Sequence, residues 1–435
     1  LSSPRSTVAD ASISSFSQFG LSPEIVSVLE RRGIRVPLPI QQASLSDALA
    51  GRDVCGKAPT GSGKTLAFAL PMVARLERGR PGRPGGLILV PTRELAAQIT
   101  TELAPLAKTR RLTVHAFYGG VGFGGQLHAL KKGVDIVVAC PGRLADLMRS
   151  RHVDLSDVDM VVVDEADRMA DMGFLPEVRR ILDTTSPTRQ TLLFSATLDG
   201  DVDVLVRRYQ HDAARHEVDA GESEIGRMSH RFQAVAQADR AAACAALVAD
   251  FGACVVFVRT RHGADRLARQ LERSGVSAAA IHGDRSQSQR DRALASFRSG
   301  SVRALVATDV AARGIHVDSV DCVIHYDPPA DPKDYVHRSG RTARAGASGS
   351  VVTLITPEQR KGMEAIARTL GLDPELVGMS RSGSAPSPAT RHRGPRPAHQ
   401  GSRRSRSQGG PRPPRAQADG RAANNRHKAP RGTPR

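Results

Sequence analysis

The sequence predicts an α/β protein of two successive lobes, each built on a largely parallel sheet, followed by a basic tail. Three observations carry this. From about residue 16 to 375, short apolar runs alternate with longer amphipathic stretches, the rhythm of helices alternating with strands in a parallel sheet. The rhythm breaks once, at 219–227 (DAGESEIGR), and then resumes. Beyond Met379 apolar residues become too sparse to offset the entropy of ordering the chain, so disorder is expected there.

Residues 1–15 read as a polar leader without the apolar run of a secretion signal. In the first lobe, 16–218, strands are expected at Val54–Cys55, Leu87–Val90, Val114–Phe117, Ile136–Ala139, Met160–Val163 and Thr191–Phe194. The stretch 219–227 is the linker. In the second lobe, 228–378, strands are expected at Cys254–Val258, Ala278–Ile281, Ala304–Ala307, Cys322–His325 and Ser350–Ile355. Residues 379–435 are the tail. Of a formal charge of +18, from 62 Lys/Arg against 44 Asp/Glu, +13 belongs to residues 381–435, where 14 basic residues meet the single acid Asp419, and +5 to everything before. The tail is therefore the element aimed at a polyanion, while the folded body is nearly neutral. Five separated cysteines, with no CxxC or Cys/His cluster, argue against a zinc site or a disulfide framework and for a reducing cytoplasm. Apolar runs such as Leu87–Val90 fall far short of the roughly 20 residues of a membrane-spanning helix.

Two segments carry chemistry on their own. Ala58-Pro59-Thr60-Gly61-Ser62-Gly63-Lys64-Thr65 follows a short strand and opens an apolar helical run. Glycines let backbone N–H groups approach phosphates at a helix N-terminus, Lys64 can reach the β/γ-phosphates, and Thr65 can hold Mg²⁺. The strict GxxxxGK[ST] pattern fails only at its first position, Ala58, and the bland alternative is a helix-capping glycine turn. Met160-Val161-Val162-Val163-Asp164-Glu165-Ala166-Asp167 is an apolar strand ending in three carboxylates, which should not crowd there without a cation. Asp164 is placed to hold Mg²⁺ and Glu165 to orient and deprotonate a water. A solvated helix start would not explain the strand-like run up to Asp164. Together the two segments indicate an NTPase.

Asp164-Glu165-Ala166-Asp167 spells the signature of the DEAD-box RNA helicases, and the chain resembles that family, motif after motif in family order, over about residues 16–355. The resemblance implies two RecA-like domains that close over ATP and single-stranded RNA. Gly33–Gln41 resembles the adenine-reading motif, with Gln41 on the base edge and Phe16, 17 residues before Gly33, packing near adenine; Ile34 replaces the aromatic common after that Gly. Pro91-Thr92-Arg93-Glu94-Leu95-Ala96, Gly119-Gly120 and Pro141-Gly142-Arg143 resemble RNA-backbone contacts, with Cys140 where Thr is usual. Hydroxyls, guanidinium groups and glycine N–H groups suit phosphate and ribose oxygens, which fix position without reading sequence. Ser195-Ala196-Thr197 resembles the motif linking the ATP site to closure, with Ser195 or Thr197 bonded to Asp167. In the second lobe His337–Arg344 implies arginine fingers at Arg341 and Arg344, permanently charged groups that offset charge on the transferred phosphoryl. Thr260, Gln287, Arg290 and Thr308 match the remaining RNA-binding and coupling motifs, and His316 stands where the family directs an Asp at the ribose.

The function expected is that of an ATP-dependent RNA helicase of bacterial type: RNA-stimulated ATP hydrolysis with Mg²⁺, coupled to local unwinding of short duplexes or remodelling of ribonucleoproteins. The tail is expected to add sequence-independent RNA affinity and to meet ribosomal or RNA-decay partners. A DNA translocase would share the phosphate loop and fingers but not the Gln41 motif or the Asp164–Asp167 spelling. A non-hydrolysing RNA clamp would not need Lys64, Glu165, Arg341 and Arg344 intact.

Overall fold

A computed structural model describes residues 15–59, 61–198, 200–218, 228–312, 320–343 and 349–373. The expected linker, tail and nearly all of the leader, with Thr60, His316 and Arg344, lie outside the described residues.

The first lobe contains β1 (Val54–Lys57), β2 (Gly86–Leu89), β3 (Val114–Phe117), β4 (Ile136–Ala139), β5 (Met160–Asp164), β6 (Gln190–Ser195) and β7 (Ala214–Glu217) in the order β3-β4-β2-β5-β6-β1-β7. The second contains β8 (Met228–Ala234), β9 (Cys254–Phe257), β10 (Ala278–Ile281), β11 (Ala304–Ala307), β12 (Cys322–His325) and β13 (Gly349–Ile355) in the order β10-β11-β9-β12-β13-β8. Every ladder is parallel. The first lobe's helices are α1 (Pro23–Arg31), α2 (Pro39–Leu49), α3 (Lys64–Arg75), α4 (Arg93–Thr109), α5 (Phe123–Lys132), α6 (Pro141–Arg149), α7 (Ala166–Asp171), α8 (Leu175–Leu182) and α9 (Asp201–Tyr209). The second lobe's are α10 (Arg240–Phe251), α11 (Arg261–Arg273), α12 (Gln287–Arg298), α13 (Asp309–Ala312), α14 (Pro332–Ser339) and α15 (Arg360–Thr369).

The uninterrupted apolar runs reflect sheets covered on both faces. In β5, Met160 and Val162 join one core with α1–α4, while Val161 and Val163 join a second core with α6–α9. The second sheet is sandwiched in the same way, with Val255 and Phe257 of β9 facing one core and Cys254 and Val256 the other. Each fully buried Val, Leu or Phe contributes about 1.5–3 kcal/mol, enough in sum for each sheet to hold its strand ends fixed.

Two strands fall outside the sequence expectation. β7 (ARHE) and β8 (MSHRFQA) are edge strands with mostly half-buried or exposed side chains. A strand covered on one side only needs no apolar run, so nothing in its composition announces it.

Candidate active site and nucleic-acid interface

Strand order assembles the first half of the site. β1 pairs with β6, and β6 with β5, so the phosphate loop after β1, the carboxylates ending β5 and the serine ending β6 emerge side by side. Carboxyl ends of neighbouring parallel strands are where such sheets bind ligands. Within the loop, Gly61 (φ 90°) and Gly63 (φ 86°) take left-handed conformations that turn the chain into α3. Lys64 opens that helix with its ammonium buried, donating to the carbonyls of Ala58 and Pro59 at 2.8 Å each, while Ser62 Oγ donates to Pro59 O at 2.8 Å. Thr65 is the second residue of α3 and half-buried. Gln41 ties this loop to the candidate adenine side. Its carboxamide oxygen accepts from Leu38 N at 2.9 Å, and its nitrogen donates to Gly63 O at 2.8 Å. Phe16 is 1% exposed, packed in the core with Ile25 and Leu29, and Ile34 packs against the same core.

Asp164, the last residue of β5, is buried, and burial pushes its carboxyl up to about 7 against the opposing pull of Lys64. Burial likewise pushes the Lys64 ammonium down, against Asp164 and Glu165, which favour its charged form. Glu165 has φ 54° and ψ 48°, a left-handed backbone rare for a residue with a side chain. That turn directs the chain from β5 into α7, where Arg168 Nη1 donates to Glu165 Oε2 at 2.8 Å in a pair whose side chains are 3% and 7% exposed. The bond from Asp167 goes to Ser195 rather than Thr197, and through the backbone: Asp167 N donates to Ser195 Oγ at 3.2 Å.

The second lobe approaches through α14. Arg341, just beyond that helix, is buried and lines one small cavity with Asp309, His337, Arg338 and Arg168 of the first lobe. Burial, reinforced by Arg168, pushes the His337 imidazole down to about 4. Arg338 is held by Asp309 at 2.6 and 2.8 Å and by Asp327 O at 2.7 Å. Lys333 Nζ meets Asp171 at 2.9 Å across the lobes.

The residues expected to touch RNA lie on both lobes. Pro91 and Thr92 are buried, and Thr92 Oγ1 caps α4 by accepting from Leu95 N at 3.3 Å. Thr260 caps α11 in the same way at 3.0 Å and stays exposed. Thr308 is buried where the chain enters α13. Gly120 (φ 79°) lies directly under the Arg93 guanidinium, so closely that a Cβ there would collide with it. Gly119 leads into that turn, and nothing lies within 4 Å of a Cβ built on Gly142 in α6. Arg143 is buried, donating to Gln126 Oε1 at 2.9 Å and to Val121 O at 3.0 Å. Its guanidinium therefore braces the glycine-rich loop. Cys140, at the start of α6, gives no side-chain cap, and burial pushes its thiol up to about 12. Arg93, Gln287 and Arg290 meet across the lobes: Arg290 Nη2 pairs with Glu94 at 2.7 Å, with side chains 10% and 7% exposed, and Gln287 lies 3.4 Å from Glu94 and 3.5 Å from Arg93.

Sequence reasoning did not assign roles to Glu94, Arg168, Arg338 or Asp309. All four sit inside or beside motifs, so adjacency was the available signal; Arg168 pairs with Glu165 only three residues away, whereas Glu94 and Arg290, and Arg338 and Asp309, are far apart in sequence.

Fold and site together define a two-lobed RecA-like protein with a candidate phosphate loop. The family model described as DEAD/DEAH box helicase matches residues 38–205, and that of the helicase conserved C-terminal domain matches 239–346. The ATP-dependent RNA helicase RhlB of Pseudomonas syringae pv. tomato is 41% identical over 82% of this chain and 92% of its own length. The DEAD-box ATP-dependent RNA helicase CshA of Bacillus subtilis is 38% identical over 81% of this chain and 72% of its own. Of the mitochondrial DEAD-box ATP-dependent RNA helicase 9 of Arabidopsis thaliana, 41% identical, this chain spans 59%. Among solved structures, S. cerevisiae Dbp5 bound to RNA and ADP BeF3 superposes with a TM-score of 0.73 at 28% identity, covering 84% of this chain and 93% of that one. The chain belongs to the DEAD-box ATP-dependent RNA helicase family.

Proposed function

We propose that the protein hydrolyses ATP in an RNA-stimulated cycle that opens short RNA duplexes or remodels ribonucleoproteins, with residues 16–218 and 228–378 as its two working lobes. The observation that carries this reading is the interface: Arg341 and its neighbours on α14 line the same cavity as Arg168, three residues beyond Glu165. Each lobe thus holds part of one site, so ligands that touch both favour the closed arrangement over the open one, and that differential affinity drives the cycle.

In this reading Gln41 and Phe16 serve the adenine end, and Thr60, Gly61, Ser62, Gly63 and Lys64 the phosphates. Thr65 and Asp164 would hold Mg²⁺: a hydroxyl and a carboxylate are hard oxygen donors, and this ion uses few protein ligands and keeps its waters. When bound it neutralises phosphate charge. Glu165, aimed by its left-handed backbone and by Arg168, takes the proton of the attacking water. Arg341 and Arg344 stabilise the transferred phosphoryl, and Asp167 with Ser195 and Thr197 couples that event to closure. Arg93, Gly119, Gly120, Gly142, Thr260 and Gln287 form the RNA face, with Pro91 and Thr92 fixing the start of α4, Thr308 that of α13, Arg143 bracing the glycine-rich loop from within and Arg290 held against Glu94. Five free cysteines suit a reducing cytoplasm. Among the described residues no helix is long and apolar enough to cross a membrane.

Steady-state ATPase with RNA, with DNA and with neither tests the reading. RNA should stimulate turnover and DNA should not. Glu165→Gln should lower turnover about 10²–10⁴-fold while retaining RNA in the presence of ATP. Turnover indifferent to RNA, or a Gln variant as fast as the parent, refutes it.

A further inference from the structure

We infer that Phe123 is a base-stacking platform on the RNA face, a contact with the nucleobases beyond those with the phosphodiester backbone; this rests on the reading that the surface around Arg93 and the Gly119–Gly120 turn takes RNA. Phe123 is the first residue of α5 and 41% exposed, the only aromatic among the markedly exposed large hydrophobic side chains of the described residues. A large apolar ring left in water without a core to join calls for a reason. One side of the ring is occupied, since the Arg143 guanidinium carbon lies 4.0 Å from the ring centroid. That cation is itself fixed by Gln126 and Val121 O, so the ring rests on an immobile support.

The surroundings leave room for a flat ligand. Gly122, Gly124 and Gly125 adjoin Phe123 in sequence and carry no side chains, and beyond their chain neighbours and the helix's own backbone a Cβ placed on any of them would meet nothing within 4 Å. Arg93 is close by: burial pushes the Arg143 guanidinium down, Asp146 opposes this, and Arg93 adds a smaller push in the same direction as burial. Arg93 in turn covers Gly120. A cation that can meet the phosphodiester backbone, here Arg93, next to an aromatic face backed by a guanidinium, is the combination that holds single strands without reading their sequence, because every base has a π-face. Phe123 is thereby a residue that sets RNA affinity, and Arg143 positions it.

The chain contains no tryptophan, which gives a direct assay. Phe123→Trp places the only indole at the proposed platform. RNA binding is followed independently by anisotropy of an end-labelled single strand, and folding by circular dichroism. Stacking predicts that indole emission falls by more than half at saturating oligo(U) or oligo(A), and that an abasic ribose-phosphate oligomer bound to saturation leaves it unchanged. Phe123→Leu should raise the half-saturating RNA concentration for ATPase about tenfold, with kcat at saturating RNA retained, a split that a purely structural ring would not produce. Should the Trp variant fail to fold, 2-aminopurine RNA reports the same contact, quenched by the parent protein and less by Phe123→Leu. Emission unaltered while anisotropy shows RNA bound, or equal quenching by the abasic oligomer, overturns the platform and leaves the RNA reading standing. No RNA bound by the parent protein overturns both.

Discussion

The pair between Glu94 on α4 and Arg290 on α12 joins the lobes where candidate RNA residues converge, and its energetics can be worked out. The two groups are 2.7 Å apart, with side chains only 7% and 10% exposed. Removing one partner of a buried pair strands the other at a cost of about 3–5 kcal/mol. Here the stranded group escapes that cost by separation of the lobes, so the loss falls on closure and not on the folding of either lobe. A loss of about 3 kcal/mol corresponds to roughly a hundredfold in the closure constant. Glu94→Ala and Arg290→Ala should each reduce lobe closure, measured by energy transfer between dyes on the two lobes with ATP and RNA present, and each should raise the half-saturating RNA concentration by up to that factor. Melting temperatures should move little. The reversed pair, Glu94→Arg with Arg290→Glu, should recover part of the loss. The opposite sign refutes the reasoning: if Glu94 merely occupies an arginine that RNA would otherwise use, Glu94→Ala frees Arg290 and RNA binds more tightly.

Three further outcomes follow from geometry, charge and burial. Gly63→Ala should weaken nucleotide binding tenfold or more in a fluorescent-nucleotide titration, because a left-handed Ala costs about 1–2 kcal/mol and its Cβ would lie 2.5 Å from Gln41 Nε2 and 2.6 Å from Leu38 Cδ1; unchanged affinity would sever Gln41 and Gly63 from the nucleotide site. Burial, and after it Arg338 and His230, holds the His325 imidazole well below its usual value. The unfolded chain therefore takes up a proton near pH 6.5 that the folded chain refuses, so stability falls as pH drops below about 6.5. His325→Asn should flatten that acid slope of the melting temperature, and an unaltered slope would assign it to other groups such as His337. Deleting 381–435, which carries 14 basic residues, should flatten the dependence of RNA binding on salt while leaving ATPase at saturating RNA intact; an unchanged slope would place the tail's role elsewhere.

What the sequence made legible was the part governed by local rules. Buried parallel strands are mostly apolar, so the inner strands stand out, and ligand chemistry is expected in the loops at their carboxyl ends, which is where Lys64, Asp164 and Glu165 fall. β7 and β8 escaped because polar residues run through them (ARHE, MSHRFQA), whereas the other two edge strands, β3 (VHAF) and β10 (AAAI), are mostly apolar. Arg143 shows a different limit. Its residue type fits a phosphate, but its direction depends on Gln126 and Val121, and only the folded loop turns the guanidinium inward. The grip of Arg338 on Asp309, and of Arg290 on Glu94, likewise depends on distant segments meeting.

The position of β7 and β8 at sheet edges bears on how the molecule meets itself. Ten residues separate Glu217 from Met228, a length of chain that spans at most about 40 Å when fully drawn out. Each lobe therefore remains in the presence of the other at a local concentration in the millimolar range, whatever the abundance of the protein. Re-engagement of the lobes after any separation is a unimolecular event, and dilution of the protein does not slow it.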